Sequence, residues 1–254
     1  MRQHQIGFIH SIAGSVKATG GKVAMFAVAA SLAAAGAADA STIYLNSPHY
    51  PNPYSSYNSQ KTTTQDNMAL DDFMLVSADT IVNITWQGQY RPLVNGAGEM
   101  PATATDFLVQ FWSDAAGLPG SVLSSAMYSV AQTHETRIGT AQFSPAPGFT
   151  STAGIYNYSL DITPFAAAAG TQYWLMIQAQ TGSVGDPAWG WTSGGTVPGA
   201  SYQFVNGAGT PRPGENRAFS LQNAATPVPE PTTLLLLGAG LAGVAVKLRR
   251  RQTA

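Results

Sequence analysis

The chain has 254 residues and no cysteine, with 12 Lys and Arg against 13 Asp and Glu, a formal net charge of −1. Without cysteine there are no disulfides, thiolate metal sites or cysteine nucleophiles. The charge is unevenly spread: Ser41 to Thr226 holds five cations against eleven anions, a net −6. An acidic body argues against nucleic-acid binding, which needs a basic face to displace counterions from phosphates.

The chain opens with a polar stretch containing Arg2, Lys17 and Lys22, then the apolar run from Val23 to Ala30. Ala38-Asp39-Ala40 follows, with small residues at the two positions a signal peptidase reads. Residues 1–40 are therefore expected to form a signal peptide with a signal helix, cleaved after Ala40 to leave Ser41 as the mature N-terminus.

The body, residues 41–222, is long enough for one domain with a sizeable core. Gly, Ser, Thr, Asn and Pro punctuate it at short intervals, and the runs between them alternate with period two. That pattern predicts an all-β fold, a single antiparallel β-sandwich of about ten short strands, with a jelly roll as a variant. Ile43 and Leu45 mark a first edge strand. Phe73 to Val76 is expected to follow Asp71-Asp72, and Ile81 to Trp86 to turn Val82, Ile84 and Trp86 to one face. Asp106 to Trp112 sets Phe107, Val109 and Phe111 against Leu108, Gln110 and Trp112, which marks a central strand.

The stretch from Ser113 to Gly120 reads as a hairpin-like connection, followed by β pattern at Ser121 to Leu123 and a strand over Met127 to Val130. Further strands are expected at Thr136 to Phe143 and Ile155 to Ile162. Pro164 should end the second, having no N–H for the ladder, and Ala166 to Ala169 should make a helical turn before Gly170. Gln172 to Ala179 alternates Tyr173, Leu175 and Ile177 with Trp174 and Met176. Closing strands fit at Trp189 to Thr192, Ser201 to Val205 and Arg217 to Gln222, and residues 223–227 read as a linker.

Residues 228–251 contain Val228-Pro229-Glu230-Pro231, an apolar run from Leu234 to Val246, and a basic cluster of Lys247, Arg249, Arg250 and Arg251. The run is short for a bilayer-crossing helix, which usually needs about 20 residues. The basic cluster should stop transfer with its end in the cytoplasm, leaving the body outside. The prolines around Glu230 hold that tetrapeptide extended.

These three parts, in this order and spacing, resemble the PEP-CTERM sorting signal of Gram-negative bacteria. The resemblance implies recognition at the Pro-Glu-Pro motif by the membrane protease-transferase exosortase. It further implies transient anchoring in the inner membrane, tail removal, and delivery to the cell surface or extracellular matrix of bacteria that make exopolysaccharide. The succession Asp71-Asp72-Phe73, Trp86-Gln87-Gly88, Phe111 to Asp114, Gly117 to Gly120 and Gly170 to Leu175 also looks like ectodomains that precede this tail. That likeness brings no catalytic residues with it.

Within the body, His49 and His134 stand far apart in sequence, and no Gly-x-Ser-x-Gly elbow introduces a nucleophile. Asp71, Asp72 and Asp114 are calcium candidates, as oxygen-bearing side chains near turns, and Asp186 shares that setting. They form no Asp-x-Asp-x-Asp ladder, so calcium is the one cofactor left open. Trp189 and Trp191 alternate on a predicted strand and are candidates for stacking on sugar rings, with Tyr90, Tyr202 or Trp86 able to join them. The other expectation for these tryptophans is the sandwich core. The functional expectation is an exported structural or adhesive component of the envelope or exopolysaccharide matrix, not an enzyme. A carbohydrate-binding module and an extracellular glycoside-cleaving enzyme are the alternatives.

Overall fold

The computed structural model describes residues 40–48, 56–144, 146–181, 187–195 and 199–224. These residues fold as two facing, mainly antiparallel sheets, a β-sandwich as the alternation predicts. In chain order the strands are β1 (Thr42–Asn46), β2 (Ser56–Asn58), β3 (Gln60–Lys61), β4 (Asn67–Met74), β5 (Asp79–Arg91), β6 (Asp106–Asp114), β7 (Pro119–Ser129) and β8 (Thr136–Phe143). They continue as β9 (Ser151–Ala167), β10 (Gln172–Gln180), β11 (Ala188–Gly194), β12 (Ala200–Val205), β13 (Ala208–Pro213), β14 (Asn216–Arg217) and β15 (Phe219–Asn223). One 3-10 turn, Val130–Thr133, is the only helical element among the described residues.

The long strand β5 is the axis of the eight-stranded sheet. One edge pairs with β9, which carries β8 outside it, and the other is shared by β15 and β11. Strand β1 adds beyond β15, and β2 and β14 add to β11. The seven-stranded sheet runs β13-β12-β4-β10-β6-β7, with β3 beside the end of β10. Between the sheets lies the core, with Phe73, Ile81, Ile84, Trp86, Phe107, Phe111, Tyr158, Leu175, Ile177 and Leu221 all buried. Each fully buried side chain of this size contributes about 1.5–3 kcal/mol over its exposed state.

Several strands differ from their sequence expectation for local reasons. The Asp71-Asp72 pair lies inside β4 instead of before it, because Asp71 finds buried partners. On β5 the core takes Ile81 and Ile84 instead of Val82, since the pairing with β9 shifts between Ile81 and Asn83. A bulge of this kind resets which residues face inward. The same irregularity accommodates Pro164: the register jumps from Asp161 to Phe165, so the strand continues to Ala167 and the expected helical turn does not form.

Ser121 to Leu123 and the segment from Met127 belong to one edge strand, β7, which ends at Ser129. Arg217 to Gln222 divides at Ala218, whose N–H donates to Thr192 O, so β14 pairs with β11 and β15 with β5. The hairpin of β12 and β13 had no sequence expectation. Its signal is Asn206-Gly207, both at positive φ (49° and 85°), the dipeptide that two-residue hairpin turns favour.

Candidate functional site

The tryptophans chosen from the sequence share one side of β11, and that side is the inner one. Trp189 and Trp191 are both 0% exposed. The Trp189 Nε1–H donates to Tyr158 OH at 3.1 Å, its ring stands edge-on to Phe107 at 5.2 Å, and Trp191 Nε1–H donates to Ala218 O at 3.0 Å. Trp86 stacks on Tyr158 at 4.9 Å, and Tyr90 is buried with its OH donating to Glu135 Oε2. None of these four rings offers a face to a ligand, so of the two expectations for Trp189 and Trp191 the sandwich core holds and the sugar-stacking one is corrected. Their common parity was legible; which side faces solvent is set by sheet pairing.

Outward-facing aromatics occur on the seven-stranded sheet instead. Trp174, Leu70 and Met176 form a second cluster, with Met68, Leu108, Trp112, Tyr202 and Phe204 packed against it half-buried. Trp174 stands opposite Trp112 on β6 and Asp72 on β4. A second row crosses five strands, Tyr202 to Leu70 to Met176 to Gln110 to Ser125. Tyr202 meets Trp174 edge-on at 6.4 Å and Phe204 at 4.9 Å. Hydrogen-bonding groups border the rings: Trp174 Nε1–H donates to Asp114 Oδ1 at 2.9 Å, Trp112 Nε1–H to Gln110 Oε1 at 3.1 Å, and Gln110 Nε2–H to Ser125 Oγ at 2.9 Å. Of the aromatics considered from the sequence for stacking on sugar rings, Tyr202 alone belongs here.

The three calcium candidates part company, because neighbours on a strand point to opposite faces. Asp71 turns inward and is 0% exposed. It accepts from Asn46 Nδ2 and the Arg217 N–H through Oδ2, and from the Asp72 N–H through Oδ1. Burial pushes its carboxyl well above the usual carboxylate range, against the lowering pull of the Arg217 N–H and guanidinium. Asp72 turns outward, accepting from the Ala200 N–H at 2.7 Å and Gln172 Nε2 at 3.0 Å, and partial burial raises its pKa as well. Asp114 caps its turn through the Gly117 N–H at 3.0 Å while holding Trp174. Among the described residues no group of three or more His, Asp or Glu side chains is placed to hold a metal.

His134 is an exposed loop residue in the left-handed region, φ 45°, just after the 3-10 turn. It borders a cavity of about 610 Å³ on the eight-stranded sheet, with Thr85, Gln87, Asn157, Ser159 and Ser220 along the same wall. Those polar groups are already paired across strands, Thr85 Oγ1 with Ser220 Oγ at 2.6 Å and Gln87 Nε2 with Asn157 Oδ1 at 3.2 Å. Such pairs stabilise a solvated sheet face.

Ser41 is tied to the last residue of β15: its N–H and Oγ both reach Asn223 Oδ1, and the Asn223 N–H donates to Ser41 O. Ala38, His49, Asp186, the sorting motif Val228 to Pro231, the basic cluster from Lys247 to Arg251 and both expected terminal helices lie outside the described residues. Among the described residues no helix is long and apolar enough to cross a membrane.

Comparison with known proteins places this geometry in a family. A model described as Domain of unknown function (DUF7901) matches residues 43–218, and the PEP-CTERM protein-sorting motif matches residues 227–251. That motif marks an exosortase-targeted protein, exported and sorted to the surface of a Gram-negative cell. No curated protein and no solved structure matches the chain. The chain, whose described strands run from Thr42 to Asn223 and which is matched over residues 43–218, belongs to the DUF7901 family, here joined to a C-terminal PEP-CTERM sorting motif.

Proposed function

We propose that the sandwich works outside the cell as a structural or adhesive component of the envelope or exopolysaccharide matrix. The observation that carries this reading is the sorting motif at 227–251, which begins just past the last strand. In this scheme signal peptidase frees Ser41, the basic cluster holds the tail in the inner membrane, and exosortase acts at Pro229-Glu230-Pro231. The hydrogen bonds between Ser41 and Asn223 support it, since processing at both ends leaves the two termini already tied together. The buried polar groups also favour a structural role, because Asp71 and Tyr90 are engaged in holding strands and loops to one another.

The test follows the full chain in a host that carries an exosortase. Mass spectrometry of the surface fraction should find a protein beginning at Ser41 and lacking residues beyond the Pro-Glu-Pro motif. Glu230→Ala should keep its tail and stay with the inner membrane. Surface protein with an intact tail would refute the scheme. A carbohydrate-binding role is the second reading, favoured by the outward aromatic cluster on the seven-stranded sheet.

A further inference from the structure

We infer that the outer face of the seven-stranded sheet binds an extended, neutral polysaccharide chain, with Trp112, Tyr202 and Phe204 as stacking surfaces. The inference deepens the carbohydrate-binding reading and rests on it. Strands β6, β10 and β4 already supply the core from their inner faces through Phe107, Phe111, Ile177, Leu175, Phe73 and Ala69, while β12 buries Ser201 and Gln203 on that side. Among the described residues no second sheet packs against their outer faces, yet these carry two tryptophans, a tyrosine and a phenylalanine. Leu70, Met176 and Trp174 are buried, and Trp112, Tyr202 and Phe204 pack against them half-buried. Three strand spacings separate Trp112 from Tyr202, about 14 Å at about 4.8 Å per strand. That span suits an oligosaccharide better than a single sugar.

Hydrogen bonding and charge narrow the ligand. Sugar rings offer apolar C–H faces to aromatic rings and hydroxyls to the groups at their edges. Here those edge groups are Gln110, Ser125, Asp72 and Asp114, each carboxylate oxygen having a lone pair beyond the bond it already accepts. Strands β4, β6, β7, β10 and β12 contain no Lys or Arg, and the cations of this sheet are Lys61 on β3, ion-paired with Asp66, and Arg212 on β13, while Asp72 and Asp114 stand on the outer face. A body of net charge −6 with no cation on these strands repels uronate polymers, nucleic acids and anionic lipid surfaces alike. A neutral chain has hydroxyls to donate to those carboxylates and no charge to be repelled.

The test uses the full chain, solubilised in mild detergent, in native gels cast with hydroxyethylcellulose or with alginate. Wild-type protein should be retarded by the neutral glucan and unaffected by the polyuronate. The Trp112→Ala, Tyr202→Ala double variant should bind about tenfold or more weakly, as expected for loss of anchoring aromatics. Gln110→Ala, which removes one edge group and no ring, should weaken binding by a smaller factor and serves if the double variant fails to fold. Absence of retardation by the glucan overturns the inference, as does equal retardation of wild type and both variants, or retardation by alginate alone. Concentration-dependent self-association in sedimentation that the aromatic variant abolishes would also overturn it, giving the face to a second copy. Surface recovery of the wild-type chain is scored in parallel. Protein at the surface without glucan binding sinks this inference alone, whereas protein that never leaves the inner membrane sinks the matrix reading whatever the gels show.

Discussion

The placement of Trp189 between the sheets makes a quantitative prediction about its neighbour Gly88. A Cβ at Gly88 would lie 2.5 Å from Trp189 Cζ2 and 2.7 Å from Cε2 and Nε1. The indole is 0% exposed and fixed by Phe107 and Tyr158, so it cannot swing aside. Overpacking of this kind costs about 1–3 kcal/mol. Removing a glycine from a strand interior returns about 0.5–1 kcal/mol. Gly88→Ala should therefore destabilise by about 1 kcal/mol net, the middle of a range of about 0–2.5 kcal/mol. Trp189→Leu should cost about 2–4 kcal/mol, short of the about 3–5 for truncation to alanine. In the double variant the offending ring is gone, and Gly88→Ala should become neutral or mildly stabilising. The coupling in a double-mutant cycle then falls at about 1–3 kcal/mol, favouring the pair. Urea unfolding of the full chain followed by circular dichroism measures all four corners. Additive effects would refute the packing argument, and an unaffected Gly88→Ala single variant would show that Trp189 is not where it is described.

Other consequences follow from the buried acid and from the unforeseen hairpin. Because burial holds Asp71 and Asp72 high, the folded state keeps protons that an unfolded aspartate releases near pH 4, so stability should fall as pH rises from about 4 through the folded values. Asp66 and Glu99 are held low, Asp66 because bonds from Gln178 and Lys61 outweigh its burial and Glu99 by Arg137, so their contribution is lost only on acidification below that range. Asp71→Asn should therefore flatten the decline that sets in above about pH 4; urea midpoints measured at rising pH check it, and an unchanged slope would count against the raised Asp71. Gly207→Ala places a side chain at φ 85° with nothing within 4 Å of its Cβ, so the loss is purely of backbone origin. It should be about 1–2 kcal/mol, a few degrees in melting temperature. A thermal melt unchanged by the substitution would remove the left-handed turn from the description.

What the sequence showed of this fold, and what it hid, follows from what alternation encodes. Phe107, Val109 and Phe111, or Tyr173, Leu175 and Ile177, reveal a strand and divide its residues into two sets, and both of these sets of three lie inward. Alternation names no side as solvent. Trp112 and Trp174 are legible as the opposite set, and the apolar second side of Asp106 to Trp112 marks a central strand, which β6 is. That an outer face can be aromatic with no covering sheet among the described residues is a tertiary fact. The bulge at Ile81 and Asn83 was hidden for a related reason, since an inserted residue changes parity without changing composition. Pro164 misled because its missing N–H forbids a place in a regular ladder and not one at an irregularity. Asn206-Gly207 was the avoidable miss, a strong turn signal flanked on one side by Pro211 and Pro213, whose presence hid an edge strand.

An exported domain with no cysteine must hold its two sheets together by other means, and Asp71 is one of them. It belongs to β4 of the seven-stranded sheet, while its donors Asn46 and Arg217 lie on β1 and β14 of the eight-stranded one. Tyr44 OH adds a second tie, from β1 to Asp72 O, and Gln203 Nε2 a third, from β12 to Asn58 O on β2. Breaking such a buried tie from one side leaves partners without water or protein to bond, which is why each holds more firmly than its net contribution to stability implies. The sorting tail departs just after β15, so any load applied through the C-terminal end reaches that strand first. Strand β15 is held on both edges, by β5 and by β1, and β1 in turn is fastened to the opposite sheet through Asn46 and Tyr44. The strand nearest the sorting motif is thus anchored through the core to the sheet whose outer face carries the aromatic surface.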